Sequence, residues 1–162
     1  MAKDLNKALE TVEMTYSQIK EIADQMLAGP FEEPNRIVEV IQYNVESMSI
    51  DMLRDSILRL QLAVYSLSEL RDRSGIKATC AEAIKKEAYA ASYVGQEGTA
   101  GVKDSNTILA ISENIVAERL YDLVANLTKT KVDQLHRMID SLKSILMSRM
   151  QEAKLSATSL AE

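Results

Sequence analysis

The sequence predicts an all-α protein, an elongated helical bundle with a long C-terminal helix of the coiled-coil type. The composition favours helix, because 162 residues include five Gly, two Pro, one Phe and no Trp, which leaves little aromatic material for a sheet. Apolar residues also recur at helical spacing over long stretches without Gly or Pro, the longest being 104–157. One unbroken helix of that length would span roughly 80 Å, so we expect an elongated or oligomeric protein.

The chain length suits a single domain, 1–162, whose core needs no disulfide or metal. The single cysteine, Cys80, cannot form an internal disulfide, and no apolar signal region follows the first residues. A cytoplasmic protein is therefore expected. The most apolar run, 53–70, is not expected to cross a membrane because it contains four charged residues. They are Arg54, Asp55, Arg59 and Glu69.

The first helix is predicted over 3–28, where seven apolar residues alternate at intervals of four and three. These residues are Leu5, Leu9, Val12, Tyr16, Ile19, Ala23 and Met26. Gly29 and Pro30 are typical helix terminators, so a loop is predicted from Gly29 to Pro34. A second helix is predicted over 36–48.

The next helix is predicted over 50–73, after a break at Ser47–Asp51 in which Ser49 caps the new helix. Its apolar residues leave almost no polar face, which predicts a central helix surrounded by other helices. These residues are Leu53, Ile57, Leu58, Leu60, Leu62, Val64, Tyr65, Leu67 and Leu70.

A turn is predicted at Ser74–Gly75, and the sequence from Thr79 to Glu82 has the spacing of a capping box at the start of a helix over 79–94. This helix is rich in Ala, which allows close approach of a neighbour. Tyr89 and Tyr93, four residues apart, are placed to cover that neighbour together.

Three glycines, Gly95, Gly98 and Gly101, follow in the segment 95–101. A phosphate-binding loop is not expected, because Gly101 is followed by Val-Lys-Asp and the segment follows a helix. We predict a hinge between helices. A fixed turn in which the glycines fill positive-φ positions is the alternative.

The last helix is predicted over 104–157. Its apolar stripe has about three residues in every seven, which is wider than a two-stranded seam and predicts contact with more than one helix. The stripe consists of Val132, Leu135, Met138, Ile139, Leu142, Ile145 and Leu146.

Charge is distributed unevenly along the chain. Residues 10–55 contain ten acidic and three basic residues, a net charge of −7, whereas residues 129–154 contain six basic and three acidic residues, a net charge of +3. Either these are solvated helix faces, or the acidic front attracts the basic tail within or between chains. The basic residues are candidate contacts for a partner or for nucleic acid: Lys129, Lys131, Arg137, Lys143, Arg149 and Lys154.

Enzyme chemistry is not expected, and neither is a metal or cofactor. A di-iron site in a helical bundle usually requires two Glu-x-x-His pairs, and this chain has one histidine, His136. Cys80 is interpreted as a buried, inert thiol. A magnesium-dependent all-α nucleotide pyrophosphohydrolase remains an alternative, because Glu10-x-x-Glu13 and Glu69-x-x-Asp72 have suitable internal spacings although they lie far apart.

Three short motifs in the second half of the chain are similar to motifs in a known group of proteins. They are Ala88-Tyr-Ala-Ala-Ser-Tyr93, the Gly98-Thr99 turn and the run from Ile139 to Arg149. Together, over about residues 80–155, the chain resembles small helical proteins that bacteriophages encode among DNA replication and recombination functions. The resemblance implies a phage accessory protein of DNA metabolism in the host cytoplasm, and it assigns no catalytic residue.

The function expected from these observations is that of a non-enzymatic helical protein that forms homo-oligomers and binds a protein partner. The alternative is an accessory factor that binds single-stranded nucleic acid through the basic tail. Strong binding of that kind is not expected, because no aromatic residues alternate with the basic ones and the whole chain is acidic.

Overall fold

The computed structural model describes the backbone of residues 2–159 and the side chains of residues 15–156. Within that range the chain forms four helices and no strand: α1 (Ala2–Asn44), α2 (Ile50–Val94), α3 (Ala100–Ala110) and α4 (Ser112–Ser159). The all-α helical bundle is therefore confirmed, and its long C-terminal helix is α4, with 48 residues.

Helix α1 continues through Gly29, Pro30 and Pro34, so the predicted loop at 29–34 and the separate helices 3–28 and 36–48 are wrong. Pro30 and Pro34 lack the N–H that would complete a helical hydrogen bond, a cost that packing must offset. The packing is visible in the burial pattern. Buried residues continue at helical spacing across the prolines: Ala23, Leu27, Pro34, Ile37 and Ile41.

The break between the first two helices of the structure lies where it was predicted. Residues 45–49 are not helical, and the Ser49 hydroxyl accepts a hydrogen bond from the Met52 amide at 3.2 Å. Ser49 is thus the N-terminal cap of α2, because its side chain satisfies an amide that has no partner within the helix.

Helix α2 runs unbroken through Ser74 and Gly75, so the predicted turn there and the new helix start at Thr79 are wrong. The Thr79 hydroxyl donates to the Gly75 carbonyl at 3.1 Å, one helical turn back, instead of capping a helix. Buried Ser74 and Ala78 continue the inner seam of α2 across this region.

The helix predicted over 104–157 begins earlier and is interrupted once. Helix α3 starts at Ala100 and ends before Ile111, and α4 begins at Ser112. Ile111 is buried and has φ −104° and ψ 14°, outside the α-helical range. Neither Gly nor Pro marks this position in the sequence, so no local signal predicted it.

The structure divides into two compact units, and α1, α2 and α4 contribute residues to both. The first unit comprises Met1–Leu27 and Leu70–Leu127, and the second comprises Ala28–Glu69 and Thr128–Glu162. That the two units form a single domain stays a prediction.

The buried apolar residues described in the first unit are few: Ala23, Leu27, Ala78, Ile111 and Val124. Those in the second are more numerous and larger: Ile37, Ile41, Met48, Leu53, Ile57, Leu60, Leu67, Val132, Leu135, Ile139 and Leu142.

The expectation that 50–73 is apolar and covered on all sides is wrong. In the second unit α2 is buried along one side only, through Leu53, Ile57, Leu60 and Leu67. By contrast, every residue of the predicted α4 stripe is covered at least in part. Its buried members are Val132, Leu135, Ile139 and Leu142, whereas Met138, Ile145 and Leu146 are half-buried.

Two glycines in different backbone states give a test of this fold. Gly75 lies inside α2, and a methyl group added there would meet open space, so we expect Gly75→Ala to stabilise the protein by about 0.5–1 kcal/mol. Gly98 has φ 113°, and a Cβ there would lie 3.4 Å from Val102 Cγ1, so Gly98→Ala should destabilise by more than about 1 kcal/mol. Urea denaturation measures both. A stabilised Gly98→Ala variant would show instead a freely sampled hinge.

Candidate interaction site

The glycine segment joins α2 to α3. Gly95 and Gly98 lie in the non-helical residues 95–99, but Gly101 lies in the first turn of α3, so it does not form part of a flexible linker. Only Gly98 has a positive φ among the described glycines. That angle favours the fixed-turn alternative, and the hinge itself stays a prediction.

Tyr89 and Tyr93 hold α3 against the end of α2. Their rings stack with centroids 5.9 Å apart, the Tyr89 hydroxyl donates to the Asp104 carboxylate, and the Lys103 ammonium lies 6.0 Å from the Tyr93 ring centroid. The hydrogen bond to Asp104 raises the pKa of Tyr89. The contacts of Asp104 and Lys103 with these rings connect α3 to the end of α2 across the glycine segment.

Arg149 is the candidate contact residue with the clearest structural role. Its guanidinium donates to the carbonyls of Val45 and Glu46, both at 2.8 Å, and to that of Met48. The last turn of α1 contains no basic residue, so Arg149 supplies positive charge from α4 at the negative end of the α1 dipole. Through Arg149, the basic segment 129–154 therefore contacts the backbone of the acidic segment 10–55.

Two other candidate contact residues are also engaged within the second unit. Lys131 is half-buried, with its ammonium 6.0 Å from the Phe31 ring centroid, and burial lowers its pKa. Lys143 forms a 3.7 Å ion pair with Asp140. Phe31 was expected in a loop but lies within α1.

The remaining basic candidates, Lys129, Arg137 and Lys154, are exposed on α4. By the helical repeat, Lys129 and Lys154 lie on the same side of the helix, whereas Arg137 lies on a different side. The structure therefore does not gather the six predicted residues on one face.

The residues considered for catalysis do not form a cluster in the described part of the chain. His136 is exposed, and among the described side chains no three His, Cys, Asp or Glu residues are placed to hold a metal ion. The side chains of Glu10 and Glu13 lie outside the described residues. Cys80 is exposed, so the prediction of a buried thiol is wrong.

The largest difference from expectation is an exposed apolar stripe on α2. Leu58, Leu62 and Tyr65 are 55%, 61% and 75% exposed. They are spaced i, i+4 and i+7, which places them on one side of the helix, opposite buried Leu60. We call this stripe the α2 outer face. Sequence reasoning singled out these residues but assigned them to the core, because two opposite apolar stripes on one helix resemble an all-round apolar helix.

Apolar surface is also exposed in the first unit, beside α1. Of the residues in the predicted first seam, Ala23 is buried, Ile19 is half-buried, and Tyr16 and Met26 are exposed. A cleft of about 520 Å³ runs along this part of α1 and is lined by both apolar and charged side chains of α1 and α4. The side chains of Leu5, Leu9 and Val12 lie outside the described residues.

Comparison of the chain with protein-family models, with curated proteins and with solved structures gave no match. None of the helices, over the residues described, has an apolar stretch long enough to pass through a membrane.

Proposed function

We propose that this chain is a non-enzymatic helical protein that associates with itself and binds a further macromolecular partner. The α2 outer face carries the proposal. Three large apolar side chains, each more than half exposed, lie together on a regular helix, and contiguous exposed apolar surface of this kind marks protein interaction sites.

The architecture of the second unit supports this function. Its core is formed by α1, α2 and α4, so the α2 outer face is presented by a helix whose opposite side is anchored by Leu53, Leu60 and Leu67. Arg59 on α2 also forms an exposed ion pair with Glu33 on α1. Hydrogen bonds from Arg36 and Arg59 lower the pKa of Glu33. A rigid helix face loses little conformational entropy on binding, which favours association.

The resemblance to phage-encoded helical proteins suggests the setting. On that basis we propose that the further partner is a protein of DNA replication or recombination, and that the complex acts in the cytoplasm of a host cell. The part of the chain that carries the resemblance, about residues 80–155, includes α3 and most of α4.

Light scattering coupled to size exclusion tests self-association. The expected mass at micromolar concentration is a whole multiple of the 18.0 kDa chain mass, decreasing towards one chain on dilution. A mass of one chain at every concentration would overturn the proposal.

Two further assays separate the alternatives. A gel shift of single-stranded DNA that weakens steeply with salt would favour the nucleic-acid-binding factor. Release of pyrophosphate from nucleoside triphosphates only when magnesium is present would favour the pyrophosphohydrolase. Release of pyrophosphate would contradict the proposed function, whereas a gel shift would make the further partner a nucleic acid instead of a protein.

A further inference from the structure

A small cavity lies between α1 and α2, within the second unit, and we call it the α1–α2 cavity. It has a volume of about 130 Å³ and is lined by Arg36, Ile37 and Val40 of α1 and by Ser56 and Arg59 of α2. The stretch 28–69 contains only three basic residues, and two of them line this one cavity. The cavity therefore gathers most of the positive charge of an otherwise acidic stretch.

Ser56 adds a buried hydroxyl to the cavity lining. It is 9% exposed, and within the described residues its hydroxyl has no hydrogen-bond partner. Buried polar groups usually have a partner. The Ser56 hydroxyl is thus available to donate to a group that enters the cavity.

The two arginines of the cavity already hold one oxyanion, the Glu33 carboxylate. Arg36 donates to one of its oxygens through Nε at 2.9 Å and Nη2 at 2.5 Å, and Arg59 donates to the other oxygen. A guanidinium has five N–H donors, so these three hydrogen bonds leave most of the donors of the pair unused. The charges are also unbalanced, because two cations share one carboxylate.

We propose that the α1–α2 cavity binds a phosphate group, as the free ion or as a phosphate monoester, through Arg36, Arg59 and Ser56. The planar guanidinium matches the oxygens of a phosphate with paired N–H groups. Three donor groups on two helices suit the three free oxygens of a terminal phosphate better than the two oxygens of a carboxylate. This ligand site goes beyond the self-association proposed above and does not depend on it.

The size of the cavity limits the ligand. A volume of about 130 Å³ corresponds to a few water molecules, so the cavity admits a phosphate group but not a whole nucleotide. Val40, Arg36 and Arg59 are exposed at its rim, which leaves room for the organic part of a monoester to remain in solvent.

Glu33 is expected to compete with the ligand. Its carboxylate occupies N–H groups of both arginines and carries the same charge as a phosphate. The Glu33 and Arg36 side chains are 48% and 66% exposed, so their ion pair is screened by solvent and exchanges readily. Removing this carboxylate should therefore strengthen phosphate binding.

Nuclear magnetic resonance titration of the whole chain with inorganic phosphate, at constant ionic strength, tests the site. Saturable shifts of the Ile37 and Ser56 amide signals are expected, with half-saturation below about 10 mM. Arg59→Gln should weaken binding at least about tenfold, because charge-assisted hydrogen bonds are lost. Ser56→Ala should weaken it about threefold. Arg54→Gln removes the same charge from α2 outside the cavity and should change binding by less than about twofold.

Glu33→Gln gives the sharpest test, because a gain of affinity is expected. It should tighten phosphate binding at least about fivefold, whereas Glu32→Gln, which removes the same charge one residue away, should change it by less than about twofold. If Glu33 were only a structural partner of the two arginines, its substitution would give no such gain. Circular dichroism and thermal melts confirm that each variant is folded.

Two organic phosphates identify the source of the ligand. Methyl phosphate that binds as tightly as inorganic phosphate would support a monoester, and weaker binding would support the free ion. Dimethyl phosphate has only two free oxygens, so equally tight binding would overturn the match to three donors. Absence of a saturable shift in the parent, or equal weakening by Arg59→Gln and Arg54→Gln, would overturn the site. Light scattering would still decide self-association separately.

Discussion

Leu60→Asp is expected to unfold the protein at 37 °C. Leu60 is 0% exposed in the core of the second unit, so the substitution removes a fully buried leucine at a cost of about 2–5 kcal/mol. It also places a carboxylate in the apolar core, which costs several kcal/mol more. That total approaches or exceeds the stability of an ordinary domain, about 5–15 kcal/mol. Loss of the helical circular-dichroism signal and of the cooperative melt would record the effect.

Leu62→Asp is the matched control, two residues away on the same helix and 61% exposed. Measured at a concentration where the parent is monomeric, its unfolding free energy should lie within about 0.5 kcal/mol of the parent value, as for other surface substitutions. Equal destabilisation by the two variants would show that the inner and outer sides of α2 have been assigned incorrectly.

Arg149→Ala should lower the unfolding free energy by about 2–3 kcal/mol, because it removes the charged donor shared by three loop carbonyls. Arg149→Lys should lose less, since an ammonium keeps the charge at the end of α1 but lacks the planar group that reaches several carbonyls at once. Urea denaturation provides the comparison.

Arg137→Ala controls for the loss of a positive charge on α4. Arg137 is exposed, so its removal should change stability by no more than about 0.5 kcal/mol. If Arg149→Ala is equally mild, Arg149 does not stabilise the α1–α2 connection, and its role as a surface contact for a partner regains support.

The sequence by itself determined the all-α class, because composition and the helical spacing of apolar residues act over every segment of the chain. It also predicted the break near Ser49, where a capping side chain satisfies an amide locally. Ser49 needs no distant residue for this role. The same holds for the non-helical run that contains Gly98, whose backbone angle suits glycine.

Tertiary structure decided the helix boundaries that sequence signals misplaced. Gly29 and Gly75 each oppose helix by about 1 kcal/mol, and Pro30 and Pro34 each by about 3 kcal/mol or more. Burial that continues along α1 and α2 outweighs that cost. Ile111 interrupts the last helix without any local signal.

Tertiary structure also decided which apolar stripe of α2 is core and which is surface, since Leu60 and Leu62 are chemically identical. Only the positions of α1 and α4 against one side of α2 distinguish them, because burial depends on the neighbours that cover a side chain.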